Sequence, residues 1–220
     1  ELEVNDAIVV SGDTKVVPKG AVDKIFINTT GIGEILYKGI SSNNISEDDL
    51  ILVNRDIGAH GATIFAAREG MDMNSNLKSD CNSLYPQVKA LIDSGIKITA
   101  LRDATRGGVS AVLNEWAKQS NICIEVDEEK IPLCDEVRGI CEMLGFEATN
   151  LANEGTFVLA IPKDDVVKAI EVLHGFPEAS NACIIGKVTQ QYNKKVILNS
   201  SWGTKRFLDT PTGELLPRIC

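Results

Sequence analysis

Four short stretches of this chain carry side chains whose types and spacing could do chemistry. The last residue is Cys220, and a thiolate is the strongest protein nucleophile near neutral pH. As the end of this sequence it is not expected to belong to a prenylation box. Near the other end, Ser11-Gly12-Asp13-Thr14-Lys15-Val16-Val17 sets an acid and a base two residues apart in β-like sequence. Alternation puts both on one face of a strand. They read either as a solvated ion pair or as a carboxylate for Mg²⁺ beside an ammonium for phosphate. The third stretch, Leu101-Arg102-Asp103-Ala104-Thr105-Arg106-Gly107-Gly108-Val109, runs from a strand end to a helix start. Two glycines there open the backbone N–H groups of a helix N-terminus to an anion. The same residues also suit a plain connector capped by Thr105. The fourth is Leu151-Ala152-Asn153-Glu154-Gly155-Thr156, where Glu154 reads as a general base, a metal ligand or an ordinary loop acid. His60, in Ala59-His60-Gly61, reads as a capping or packing residue and as a minor phosphate contact.

Several familiar chemistries are missing. No GxxxxGK[ST] loop occurs, and Gly31-Ile32-Gly33 lacks the third glycine of a dinucleotide fingerprint. Neither His60 nor His174 neighbours a nucleophile-elbow sequence. The six cysteines form no CxxC pair, so a structural zinc site is not expected and reduced, mostly buried thiols are. With 22 basic and 31 acidic residues the formal charge is −9 and the pI near 4.8. That argues against nucleic acid as a partner. No apolar run reaches the ~20 residues of a membrane span. No signal segment opens the chain, so a cytoplasmic location is expected.

The elements that must position these groups follow from periodicity. Ile8–Val10, Lys15–Val17 and Ile25–Asn28 read as short strands between turn signals. The polar run 41–49 reads as a linker or a domain boundary. Beyond it, strands are expected at Leu50–Val53, Ile96–Leu101, Ile122–Val126, Thr156–Ile161, Cys183–Val188 and Lys195–Leu198. Helices are expected at Gly58–Glu69 and Leu84–Ser94. Val109, Val112, Leu113 and Trp116 mark another, and so do Val166, Ile170 and Leu173. A further one opens at Pro132 and carries Val137, Ile140 and Leu144. The expected class is mixed α/β, with residues 1–47 as the remnant of a β-rich domain, 48–198 as an α/β domain and 199–220 as a mobile tail. The chain starts at Glu1 and enters apolar sequence at once, which reads as the middle of something larger. Ten extended residues from Pro211 reach at most ~30 Å, enough to carry a terminal thiol across a domain.

Taken together, Gly12-Asp13-Thr14-Lys15-Val16-Val17, Phe26-Ile27-Asn28-Thr29-Thr30-Gly31-Ile32-Gly33, Arg102 to Gly108, Asn153-Glu154-Gly155 and the ending Pro217-Arg218-Ile219-Cys220 resemble the HypE family of hydrogenase maturation factors. That family lies within the ATP-binding superfamily of aminoimidazole ribonucleotide synthetase and selenophosphate synthetase. The resemblance covers essentially all 220 residues, and the terminal Pro-Arg-Ile-Cys is its most discriminating part.

The resemblance implies a carbamoyl dehydratase. A carbamoyl group is placed on the terminal cysteine by the carbamoyltransferase HypF, and ATP drives its dehydration to a thiocyanate. The cyanide then passes to iron held by HypC and HypD and becomes a ligand of the [NiFe]-hydrogenase centre. On this reading Cys220 carries the substrate, Lys15 stabilises phosphate charge and Glu154 takes an amide proton. Asp13 serves Mg²⁺ and phosphate, and Thr14, Asn28, Asp103, Thr105, Gly107 and Gly108 line the ATP site. The family's N-terminal segment is largely missing, which puts ATP turnover and the homodimer expected of the full-length protein in question for this chain. A binding module that offers Cys220 to the maturation complex is therefore the second reading. A selenophosphate- or purine-type synthetase, with no need of the tail, is the third.

Overall fold

Short runs of Val, Ile and Leu alternate here with amphipathic stretches, and each apolar run pairs with another rather than standing alone. The computed structural model describes residues 5, 7–71 and 77–211. The chain divides into two units, Glu1–Lys38 and Gly39–Cys220.

In the first unit the three expected strands do not form. The described residues 7–38 contain no helix or strand, and Ile8, Val10, Val16, Ile25 and Ile27 are each at least 80% exposed. A strand is a ladder of bonds to a neighbour, so β-prone sequence without a paired partner stays irregular.

The second unit holds a seven-stranded sheet: β1 (Leu50–Val53), β2 (Ala100–Asp103), β3 (Cys123–Asp127), β4 (Phe157–Ile161), β5 (Cys183–Thr189), β6 (Lys195–Asn199) and β7 (Lys205–Phe207). Their order is β2-β4-β1-β5-β3-β6-β7. All neighbours are antiparallel except β3 and β6. The central strands are apolar on both faces, as a sheet covered on both sides requires. Ile51 and Val53 face one way with their partners Ala160 and Val158, and Leu52 faces the other with Leu159. All six are fully buried.

Among the described residues five α-helices accompany the sheet: α1 (Ala59–Arg68), α2 (Tyr85–Asp93), α3 (Gly108–Ser120), α4 (Asp135–Leu144) and α5 (Val166–His174). The expected stripe Val109, Val112, Leu113 and Trp116 is buried on α3, in one cluster with Ile51, Val53, Val158 and Ala160. Val137 and Ile140 of α4 join Ala62 and Ala66 of α1 in a smaller cluster, and α2 packs on α5.

Four departures from the sequence pattern have physical reasons. The polar run 41–49 is not a free linker: Ser41 N donates to Thr99 O, Ser120 Oγ donates to Ser42 O, and Asp48 N donates to Val188 O. These bonds tie the run to the domain, while Asn43, Asn44, Ser46, Glu47 and Asp48 stay exposed. β2 begins at Ala100 rather than Ile96, because Ile96 N caps α2 by bonding to Leu91 O. α4 opens at Asp135 rather than Pro132. Extended Cys134 is its cap, Asp135 and Glu136 lie in its positive first turn, and Pro132 O accepts the amide of Ile57. Finally, part of the expected tail belongs to the domain. β7 pairs with β6, Leu208 is 3% exposed, and its amide bonds to Val196 O.

Candidate active site at the paired loops before α3 and β4

The loop leaving β2 and the loop entering β4 lie side by side because their strands are paired, with Asp103 opposite Phe157. Ala104 ties them further: its N–H donates to Thr156 O, and its carbonyl accepts both the amide and the side-chain Nδ2 of Asn153. Asn153 is 1% exposed and works in two directions. Its Nδ2 also donates to Leu151 O, and its Oδ1 accepts the N–H of Gly58 at 2.6 Å. Gly58 is the residue before α1. One amide side chain thus couples the start of α1 to the approach to α3.

Glu154 follows directly, and its backbone is clamped from below. Asp80, 2% exposed, accepts Glu154 N at 3.1 Å on Oδ1, with Gly155 N at 3.0 Å and Thr156 Oγ1 at 2.8 Å on Oδ2. Three donors on a buried carboxylate compensate the loss of its hydration. Asn54, fully buried, adds a second clamp: Nδ2 donates to Gly155 O and Gln87 Oε1, and Oδ1 accepts Phe157 N. These bonds fix where the Glu154 side chain starts. That side chain is 28% exposed, with Oε1 4.0 Å from His60 Nε2.

Gly107, just before α3, and Gly108, its first residue, have left-handed φ values of 73° and 60°, which glycine alone adopts without strain. A Cβ on Gly108 would come within 2.5 Å of the carbonyl oxygens of Thr149 and Leu151. The missing side chain of Gly108 therefore serves the seating of α3 on the turn 149–151. Thr105 Oγ1 donates to Asp103, and Gly108 N closes the loop on Thr105 O.

Downstream of β7 the chain is led to this loop. Asn114 Nδ2 donates to Leu208 O, Ser110 Oγ to Asp209 O and Lys118 Nζ to Thr210 Oγ1. All three donors are on α3. Pro211 then lies 3.7 Å from where a Cβ of Gly107 would stand.

The second unit thus brings together Asp103, Thr105, Gly107, Gly108 and Glu154. Asp13, Thr14, Lys15 and Asn28 lie in the first unit and are exposed. Cys220 lies outside the described residues. Among these residues no group of three His, Cys, Asp or Glu side chains forms a metal cluster. Of the thiols, Cys141 is pushed up to about 11 by burial and by the nearby Glu147 and Glu142. Burial also raises Cys134 and Cys183. These suit packing, not attack. Asp80 and Asn54 carry no signal in the sequence. They stand in irregular segments where no periodicity marks burial.

Residues 46–199 match the family described as AIR synthase related protein, C-terminal domain. The carbamoyl dehydratase HypE of Escherichia coli is 44% identical over 216 residues, which are 96% of this chain and 62% of that protein. For HypE of Rhodobacter capsulatus the identity is 37%, over 100% of this chain and 65% of the relative. The chain thus spans less than two thirds of the length of these curated relatives. A crystal structure of the hydrogenase maturation protein HypE superposes with a TM-score of 0.93 at 39% identity, over 97% of this chain and 69% of that one. A HypE structure in complex with ATP gives 0.92 at 38%, over 97% and 65%. A HypE–HypF complex gives 0.75 at 36%, over 80% and 58%.

Proposed function

Because the chain belongs to the AIR synthase related family, in its HypE branch, we propose that it performs the ATP-dependent dehydration of an S-carboxamide on Cys220 to a thiocyanate. The observation that carries this reading is the anchored approach of the C-terminal segment. Three bonds from α3 deliver Pro211 to Gly107, in the loop that Ala104 ties to Asn153 and Thr156 beside Glu154. The nine residues from 212 to 220 span at most about 30 Å. That length covers a domain of this size, so a thiol at the end could visit the Glu154 loop and also reach outward to another protein.

The chemistry must convert an amide oxygen, a poor leaving group, into a good one. The carboxamide oxygen attacks the γ-phosphorus of ATP, ADP leaves, and Glu154 takes one N–H proton, which gives an S-bound imidoyl phosphate. Loss of the second N–H proton with cleavage of the C–O bond releases phosphate and leaves Cys220 Sγ–C≡N. One ATP is consumed, and the oxygen of the water removed ends in phosphate. Lys15 would bind phosphate charge, and Asp13 would hold Mg²⁺. Both side chains are exposed, and an exposed carboxylate is the kind of oxygen donor that Mg²⁺ takes. Mg²⁺ supplies charge neutralisation at the transferring phosphoryl group. Thr14 and Asn28, with Asp13 in the first unit, and Asp103, Thr105, Gly107 and Gly108 in the second are each proposed as nucleotide-binding residues.

The partners on this reading are a HypF-type carbamoyltransferase, supported by the solved HypE–HypF complex, and a HypC–HypD complex whose iron receives the cyanide. A homodimer and a cytoplasmic setting complete the proposal.

Carbon-13 in the carbamoyl group tests it. After loading Cys220 and adding ATP with Mg²⁺, the amide carbon signal should give way to a thiocyanate signal, with one ADP and one phosphate formed per chain. Cys220→Ala should abolish all three. ADP formed with the amide signal unchanged would overturn the proposal. An unchanged signal without ADP formation, but with tight binding to HypC–HypD, would instead make the chain a binding module.

A further inference from the structure

The imidazole of His60 is the least settled polar group near Glu154. Its side chain is 12% exposed, and Nε2 is buried with no hydrogen-bond partner among the described residues. The other nitrogen is committed: Nδ1 lies 2.8 Å from Ser79 Oγ. That hydroxyl already accepts the N–H of Cys81 at 3.1 Å. Its own proton can be donated to Nδ1, and with Nδ1 as the acceptor the ring proton stands on Nε2. Nε2 in turn lies 4.0 Å from Glu154 Oε1, about 1 Å beyond a hydrogen bond. In the opposite tautomer the lone pair of Nε2 would face carboxylate lone pairs, an arrangement with no attraction in it.

From this geometry we propose that His60 is a positioning residue for Glu154: Ser79 fixes the imidazole as the Nε2–H tautomer, and Nε2–H holds one carboxylate oxygen so that the other is turned to an incoming amide proton. The inference rests on the role given to Glu154 above and adds a residue to it. A buried N–H costs free energy while unbonded, so closing the gap to Glu154 is favourable whenever the carboxylate is ionised. His60 does not touch the reacting atoms in this account. It acts by limiting the orientations of the base, and misplacement of a catalytic group by about 1 Å can cost on the order of 100-fold in rate.

The test is nuclear magnetic resonance on the 220-residue chain, labelled with ¹⁵N in histidine and ¹³C at the glutamate carboxyls, without ATP or a carbamoyl group. The expected result is a His60 correlation pattern of the Nε2–H tautomer. In Ser79→Ala that pattern should change toward the Nδ1–H form. In His60→Ala the Glu154 carboxyl resonance should shift while the backbone amide spectrum of the sheet stays in place. His60→Gln, which can present an N–H near the same point, should restore part of that shift. An Nδ1–H tautomer in the unmodified chain, or a Glu154 resonance that ignores His60→Ala, would overturn the proposal. The first readout requires no variant, so a substitution that fails to fold leaves the test intact. It is also separate from the base role itself, which stands or falls on whether Glu154→Gln slows dehydration.

Discussion

Gly155 approaches Asp80 so closely that a Cβ on it would stand 1.8 Å from the Asp80 carbonyl oxygen, while its amide donates to the same residue's carboxylate. The two main chains are locked at the foot of Glu154, and the lock has room for glycine alone.

Gly155→Ala should therefore be among the most damaging single-methyl changes in the chain. Backbone, not a flexible side-chain end, blocks the new carbon, so a cost of at least about 3 kcal/mol is expected. In a domain of this size that lowers the thermal midpoint by about 6–12 °C. Gly139, inside α4 with nothing within 4 Å of its Cβ position, is the control. Gly139→Ala should raise stability by about 0.5–1 kcal/mol. Thermal melts of both variants decide it.

Asp80→Ala should remove the acceptor of the buried Gly155 amide, the part-buried Glu154 amide and the Thr156 hydroxyl. Orphaned buried donors cost about 1–3 kcal/mol each when unrelieved, so a loss of about 2–4 kcal/mol is expected in urea unfolding. Hydrogen exchange at Glu154 and Gly155 should accelerate more than at the centre of β4. Equal acceleration across β4 would show that Asp80 supports the sheet rather than this loop.

Asn114→Ala should release the segment after β7 without unfolding the domain. Its Nδ2 holds Leu208 O, and also Ser110 O within α3. The expected signature is faster proteolysis between residues 208 and 211, with a fall of only about 1–2 kcal/mol in global stability. On the proposed function, dehydration should slow as well, since the carrier loses its point of departure.

The thiols give a pH prediction. Cys141 is held protonated up to about 11, chiefly by burial, against an ordinary value of 9.0. Between these values the unfolded chain has lost that proton and the native chain keeps it. Its contribution therefore falls as pH rises through this window, by up to about 1.4 kcal/mol per unit, and is flat below pH 8. Urea melts at pH 8 and 10.5 should show a smaller alkaline loss for Cys141→Val than for the unmodified chain. At neutral pH Cys134, Cys141 and Cys183 should alkylate more slowly than exposed Cys81.

The parts of this fold legible in the sequence were those with a strong period. The α3 stripe from Val109 to Trp116 and the apolar run of β4 lie where their patterns place them. Glu154 and the loop 102–108 stood out by residue type, and the pairing of β2 with β4 brings them together. Three things were not legible. Ile8–Val10 has strand composition, but a strand also needs a partner that composition does not reveal. β7 is only three residues long, and what fixes it is Asn114, 94 residues away from Leu208 in sequence. Asp80 sits in a polar run whose burial comes from the loop it holds, so no local pattern announces it.

The central claim is that the Glu154 loop is where a group carried by Cys220 loses water. The most direct measurement is the intact mass of the Cys220-carbamoylated protein after incubation with ATP and Mg²⁺, for the unmodified sequence and for Glu154→Gln. The account predicts loss of one water from the first and a rate lower by about 100-fold or more in the second. Equal loss of water from both would contradict it.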